Sequence, residues 1–257
     1  MTTPNGPISE TENRKWIEQL PKAELHLHLE GAIPLEALWS LIQKHGGDSS
    51  ISTKQDLRQR LTYSDFPEFI ETWIWKNSFL QNYADFTFIA EEVALDLHRQ
   101  NILYAELFFS PSRFSHRGMT TAGLSEAIRR GLAKVPQCET WLIADVVRDH
   151  GPESAAKTLM EASDARDNGI VGIGMGGSEH RFPPEPFAQV YEDARRLGFK
   201  TSAHAGEASG AESVTGAIDT LLIDRIGHAT HAEDDPALLE ILAQRQIPLE
   251  LCPMSNV

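Results

Sequence analysis

The chemistry-bearing residues of this chain begin with two histidines separated by one leucine. His26-Leu-His28 lies within Glu24-Leu-His-Leu-His-Leu-Glu30. Residues two apart on a strand project from the same face. Both imidazoles therefore point one way, with Leu25, Leu27 and Leu29 on the other side. Imidazoles about 6–7 Å apart along a strand can grip one transition metal. The alternative is a pair of surface histidines on an edge strand, and the apolar flanks weigh against it. His204 and Glu207 occur in Thr201-Ser-Ala-His-Ala-Gly-Glu207, where a glycine permits a turn between them. One of these groups can complete a metal shell while the other moves protons, as a hydrolytic site requires. His228, in Arg225-Ile-Gly-His228, is a further ligand or a base for water. His231 reads as a hydrogen-bonding loop residue. His45, His98, His116, His150 and His180 read as surface residues.

The elements that must position these groups alternate. Strand-like apolar runs cover 23–29, 102–109, 140–147, 171–175, 201–205, 225–228 and 247–252. Helix-like segments cover 35–44, 66–79, 84–99, 121–133, 153–168, 186–197 and 236–244. Such alternation implies a parallel sheet with helices outside. Seven strands are legible, against the eight of a closed barrel. The three histidine motifs fall on strands one, five and six, and barrel chemistry sits at the C-terminal strand ends. The expectation is an α/β, TIM-type (β/α)8 barrel lacking its eighth strand. Residues 1–20 would be an arm, and residues 21–257 one C-terminally incomplete barrel: a fragment, or an open variant with a covered edge. The long segment between the first two strands carries Phe66, Phe69, Trp73, Trp75, Phe79 and Tyr83. It reads either as a lid over the mouth or as helices packed outside the barrel. Gly172-Ile-Gly-Met-Gly-Gly177 lacks the spacing of a dinucleotide fingerprint.

Composition narrows the function classes. The chain has 257 residues, 41% of them hydrophobic, with 18 glycines, as in an ordinary globular protein. Twenty-three basic and 37 acidic residues leave a net charge of −14, which disfavours nucleic acid and anionic membrane surfaces. No window approaches the ~18 apolar residues of a membrane span, and the polar N-terminus has no secretory core. Two distant cysteines make no disulfide framework, so a cytoplasmic location is expected. Assembly into a homo-oligomer is left open.

Pro21-Lys-Ala-Glu-Leu-His-Leu-His-Leu-Glu-Gly31, His204-Ala-Gly-Glu207, Arg225-Ile-Gly-His228 and Cys252-Pro-Met-Ser-Asn256 together resemble the adenosine deaminase family of the amidohydrolase superfamily. The resemblance runs from about Leu20 onward. It implies a barrel with one zinc ion per chain and hydrolytic removal of ammonia from a 6-aminopurine, first of all a purine nucleoside such as adenosine or a 5′-modified adenosine. By position it implies His26, His28 and His204 as zinc ligands. Glu207 would protonate purine N1, and His228 would orient and deprotonate the attacking water. Gly177 matches a glycine whose N–H contacts the purine, and Glu30 an acidic position on the substrate's sugar side.

The family's eighth strand carries a further metal-site aspartate, and this sequence ends before it. Glu30 replaces the aspartate of animal-type enzymes, as in bacterial adenine and aminodeoxyfutalosine deaminases. Arg113, in Ser110-Pro-Ser-Arg-Phe114, would pair with a carboxylate beyond the ribose or else be a solvated loop arginine. Two other readings stand beside the deaminase. One is a non-catalytic homologue. The other is a two-metal amidohydrolase, against which the missing lysine after strand four argues.

Overall fold

The computed structural model describes residues 10–256. Residues 1–9 of the expected arm lie outside that range. The arm's helix α1 (Glu10–Gln19) precedes β1 (Lys22–His28). Lys22 Nζ donates to Ile17 O and Leu20 O at 2.9 and 2.8 Å, capping the helix end where carbonyls lack partners. Then come α2 (Leu35–Lys44), α3 (Lys54–Arg60), α4 (Phe66–Asn77) and α5 (Tyr83–Arg99). Strand–helix alternation follows: β2 (Ile102–Phe109), α6 (Thr121–Leu132), β3 (Glu139–Val147), α7 (Gly151–Asp164), β4 (Ile170–Gly176), α8 (Ala188–Arg196), β5 (Lys200–Ala205), α9 (Ala211–Gly216), β6 (Arg225–His228), α10 (Pro236–Arg245) and β7 (Leu249–Glu250).

All six strand pairings are parallel, in the order β1-β2-β3-β4-β5-β6-β7. The result is a nearly closed α/β barrel of seven strands. β3 is buried along nearly its whole length, as a strand covered on both faces must be. Between α5 and α6 the backbones approach so closely that a Cβ on Gly131 would lie 2.2 Å from Thr87 O. α5 opens with a reciprocal cap between Asn82 and Asp85; Asp85 is buried and also binds Lys44 Nζ at 2.5 Å and His45 Nε2 at 3.0 Å. His45 is therefore half-buried and paired, contrary to the surface role expected for it.

The connection between β1 and β2 divides its labour. Phe79 and Leu80 are in the core, whereas Phe69, Ile70 and Trp73 of α4 line the cavity at the barrel mouth. α4 is tied down by Lys76, whose buried Nζ donates to Gly31 O at 3.0 Å. No described helix is long and apolar enough to cross a membrane.

Candidate functional site

His26, His28 and His204 converge at the barrel mouth. His204 Nε2 lies 3.1 Å from His26 Nε2 and 3.0 Å from His28 Nε2. β1 brings in the first two from one strand face, as its period of two requires. β5 supplies the third. Close approach is permitted by Gly227 on β6, where a Cβ would lie 2.7 Å from His26 Cε1. Phe108, paired in register with His28 across β1 and β2, stacks on the His28 ring at 5.0 Å.

The outer ring nitrogens decide what the inner ones can do. His26 Nδ1 is 2.7 Å from Glu250 Oε2, and His204 Nδ1 is 2.9 Å from Met175 O. A carboxylate and a carbonyl only accept, so both Nδ1 atoms carry the proton. The two Nε2 lone pairs then face each other in the cluster. Acceptors at this spacing repel unless a cation lies between them, so the donor set fits a divalent metal such as zinc. Burial, with the neighbouring imidazoles, holds the His28 and His204 pKa values well below the ordinary histidine range. That keeps both rings neutral, the form that ligates.

Glu250 is buried on β7 and also contacts Ser202 Oγ at 3.3 Å and the Arg225 guanidinium. Arg225 in turn reaches Glu106 Oε2 at 2.5 Å. None of this network follows from the local motifs. The one local signal is a carboxylate standing alone in the apolar Ile247–Cys252 run.

Glu207 stands across the cluster, its Oε1 3.4 Å from His228 Nε2. Its loop is gathered by the buried Glu179, whose carboxylate accepts from the N–H groups of Gly206, Glu207 and Ala208 at 2.5, 3.0 and 2.7 Å. Burial, reinforced by the Glu179 charge, pushes the Glu207 carboxyl up to about 7. Burial lowers His228 to about 4, with His26 adding to the effect. An acid that keeps its proton thus faces a neutral imidazole that can take one. His228 sits at φ +68°, a strained backbone for a non-glycine residue, and its Nδ1 meets the Asn256 amide. Arg148, almost wholly buried, donates to His204 O at 2.6 Å and Phe182 O at 2.9 Å. It thereby pins the strand end that presents the third imidazole.

The cavity encloses about 380 Å³ and is also lined by Ser110, Arg113, Asp145, Gly177 and Cys252. Gly177 has φ +108°, and a Cβ there would lie 2.2 Å from Asp149 Oδ2. Arg113 lies over the Trp73 ring at 4.5 Å, amid Asp145, Asp149 and Glu30. It is a stacked wall residue rather than a solvated one. Asp145, which the sequence motifs did not single out, is buried, and burial with the Glu30 charge pushes its carboxyl up to about 7. Its Oδ1 has no hydrogen-bond partner among the described residues. Glu30 is fully buried behind this wall, accepting from Ser110 N at 2.9 Å, and is not among the residues lining the cavity.

A parallel barrel with an imidazole cluster and a raised carboxyl at its C-terminal mouth defines a hydrolase of the amidohydrolase class. A family model described as adenosine deaminase matches residues 21–257, and the chain belongs to that family; it is a hydrolytic deaminase. An adenine deaminase of Crocosphaera subtropica is 36% identical over 245 residues, covering 94% of this chain and 74% of the relative. The solved structure of an amidohydrolase from B. ambifaria with bound zinc superposes with a TM-score of 0.87 at 27% identity, covering 98% of this chain and 70% of the other. The N6-mAMP deaminase of Arabidopsis superposes with a TM-score of 0.81 at 26% identity, covering 94% and 75%.

Proposed function

We propose that residues 21–257 act as one barrel unit that deaminates a 6-aminopurine hydrolytically, using one zinc ion and taking the free base adenine as substrate. The observation that carries the reading is the pair of Nδ1-protonated imidazoles, His26 and His204, whose Nε2 atoms converge with that of His28 opposite a raised Glu207 carboxyl. His26, His28 and His204 would hold the ion, which when bound supplies an acidified water at neutral pH. Glu207 gives its proton to purine N1 as negative charge builds in the ring. His228 takes a proton from the attacking water and orients it. Water adds at C6, the proton held by His228 passes to the amino group, the C6–N bond breaks to release ammonia, and the remaining hydroxyl proton returns to Glu207 as the C6 carbonyl forms. α4, through Phe69, Ile70 and Trp73, covers the purine and excludes bulk water, which strengthens each of these charge interactions.

The free base is favoured over the nucleoside by the inner polar wall and by the curated relative named adenine deaminase. Arg113 is stacked on Trp73 with the Asp145, Asp149 and Glu30 carboxyl groups around it, so its charge is partly offset within the wall. Asp145 lines the cavity, and its carboxyl group would meet a ring N–H that N9 substitution removes. A second reading, a substrate with a charged group beyond the ribose, rests on Arg113 in the cavity wall and on the Arabidopsis nucleotide deaminase. It includes aminodeoxyfutalosine.

The test is a panel of adenine, adenosine, N6-methyl-AMP and aminodeoxyfutalosine, followed by the ultraviolet change on loss of the 6-amino group. Adenine should give the highest kcat/KM. A higher value for adenosine would remove the free-base assignment. Preference for an anionic substrate, lost selectively in Arg113→Ala, would establish the second reading instead.

A further inference from the structure

Beneath the imidazole cluster the barrel interior is charged, where such barrels ordinarily pack branched apolar side chains. Arg225, at the start of β6, reaches through that interior. Its Nη2 lies 2.5 Å from Glu106 Oε2 on β2 and donates to the Leu25 carbonyl on β1 at 3.4 Å, while its Nε forms an ion pair with Glu250 Oε1 on β7. Among the described residues β6 pairs only with β5 and β7, so the contacts with β1 and β2 cross the barrel rather than follow the sheet. Tyr104 anchors the far carboxylate, its hydroxyl donating to Glu106 Oε1 at 2.8 Å. The side chains of Glu250, Glu106 and Arg225 are 5%, 12% and 18% exposed. Two carboxylates on one guanidinium, largely out of water, stabilise a fold no better than apolar packing of similar volume. Their position supplies another reason for them. Glu250 Oε1 meets Arg225, and Glu250 Oε2 is the atom that meets His26 Nδ1 at 2.7 Å.

We propose that Arg225 is a positioning residue for His26, acting from the barrel interior through Glu250. The Glu250 carboxylate is held by a cation on one oxygen and by the ring N–H on the other, which fixes the direction of its bond to Nδ1. The planar guanidinium can meet two carboxylates and a carbonyl on different sides at once, as a lysine ammonium on its flexible stem cannot. Without the guanidinium, Glu250 faces the like charge of Glu106 with no cation between them and turns away from it. His26 then loses the acceptor that keeps its proton on Nδ1, and its Nε2 lone pair is no longer held toward the cluster. The consequence for zinc affinity rests on the proposed zinc site; the effect on the His26 tautomer does not.

The experiment compares the full-length wild-type chain with Arg225→Met, Arg225→Lys, Glu250→Gln and the double variant Arg225→Met with Glu250→Gln. Two quantities are read. One is the protonation of the histidine ring nitrogens in the isotopically labelled, metal-free chain, by long-range proton–nitrogen NMR. The other is zinc affinity by chelator competition. The wild type should show His26 with its proton on Nδ1. In Arg225→Met an Nε2-protonated population should appear, and zinc affinity should fall by about tenfold, the lower end of what partners of metal ligands are worth. Arg225→Lys should fall between the two. Added to Glu250→Gln, Arg225→Met should weaken zinc binding by less than about twofold more, because residues of one network are not additive. An unchanged His26 tautomer in Arg225→Met, zinc affinity within about twofold of wild type, or an equal loss in the Glu250→Gln background would each overturn the proposal. If Arg225→Met does not fold, Arg225→Lys decides, and wild-type values of both quantities in that variant overturn it. Were His26→Ala to bind zinc as the wild type does, the zinc site itself would be misassigned, and the metal-free tautomer would still decide the role of Arg225.

Discussion

Glu250→Gln is the substitution through which the barrel's contribution to the metal site can be measured. The carboxylate holds His26 Nδ1 at 2.7 Å with a side chain only 5% exposed. It can only accept, so it enforces the Nδ1-protonated tautomer that turns the Nε2 lone pair inward. The isosteric amide can instead donate to Nδ1, which places a proton on Nε2 and aims it at the cluster. Loss of such a partner costs about 10–100-fold in metal affinity or activity, or about 1.4–2.7 kcal/mol. Stability falls as well. Breaking a buried ion pair by removing one partner costs about 3–5 kcal/mol. Here Arg225 is 18% exposed and keeps Glu106 at 2.5 Å, so about 1–3 kcal/mol is expected. In a chain of this size that lowers Tm by roughly 2–12 °C. The assay is zinc affinity by chelator competition, with kcat/KM on the zinc-loaded enzyme and Tm on both forms. Zinc affinity within twofold of wild type, alongside a lowered Tm, would refute the tautomer argument and leave Glu250 a purely structural partner of Arg225.

Glu207→Gln should keep zinc and lose about 10²–10⁴-fold in kcat, the range for removing a positioned general acid; retained turnover would take Glu207 out of the mechanism. Because Glu207 must enter protonated and its carboxyl sits at about 7, kcat/KM should decline as pH rises through about 7. His228, at about 4, is neutral above that value, so the acid limb should appear only near or below it. An alkaline limb above pH 9 would exclude Glu207 as its source. Gly177→Ala should lower Tm, because φ +108° and the approach to Asp149 Oδ2 leave no room for a methyl group; backbone strain of this kind costs about 1–3 kcal/mol. An unchanged Tm by calorimetry would show that the loop repacks freely.

Local order carried much of the architecture. Period-two projection placed His26 and His28 on one face, and the continuous apolar runs marked β2 and β6 at their observed bounds. The helices from Leu35 and Pro236 begin where the amphipathic pattern starts. Elements without an apolar rhythm escaped: α3, Lys-Gln-Asp-Leu-Arg-Gln-Arg, has one buried leucine and is held by its Thr53–Asp56 cap, and α9 is a short turn of small residues. β7 pairs over two residues, where the apolar run suggested six.

The sequence by itself determined which residue types could do chemistry and which strand would carry each. Only the tertiary structure decided what surrounds them. Glu250 meets His26 across 224 residues of chain, Glu179 gathers the Glu207 loop, and Arg148 pins the carbonyl of His204. Asp145 became a raised carboxyl, and Glu30 withdrew behind the cavity wall. The physical reason is that periodicity is a property of neighbours along one element. Desolvation, ring tautomer and carboxyl acidity are set by groups that barrel closure brings together from different strands.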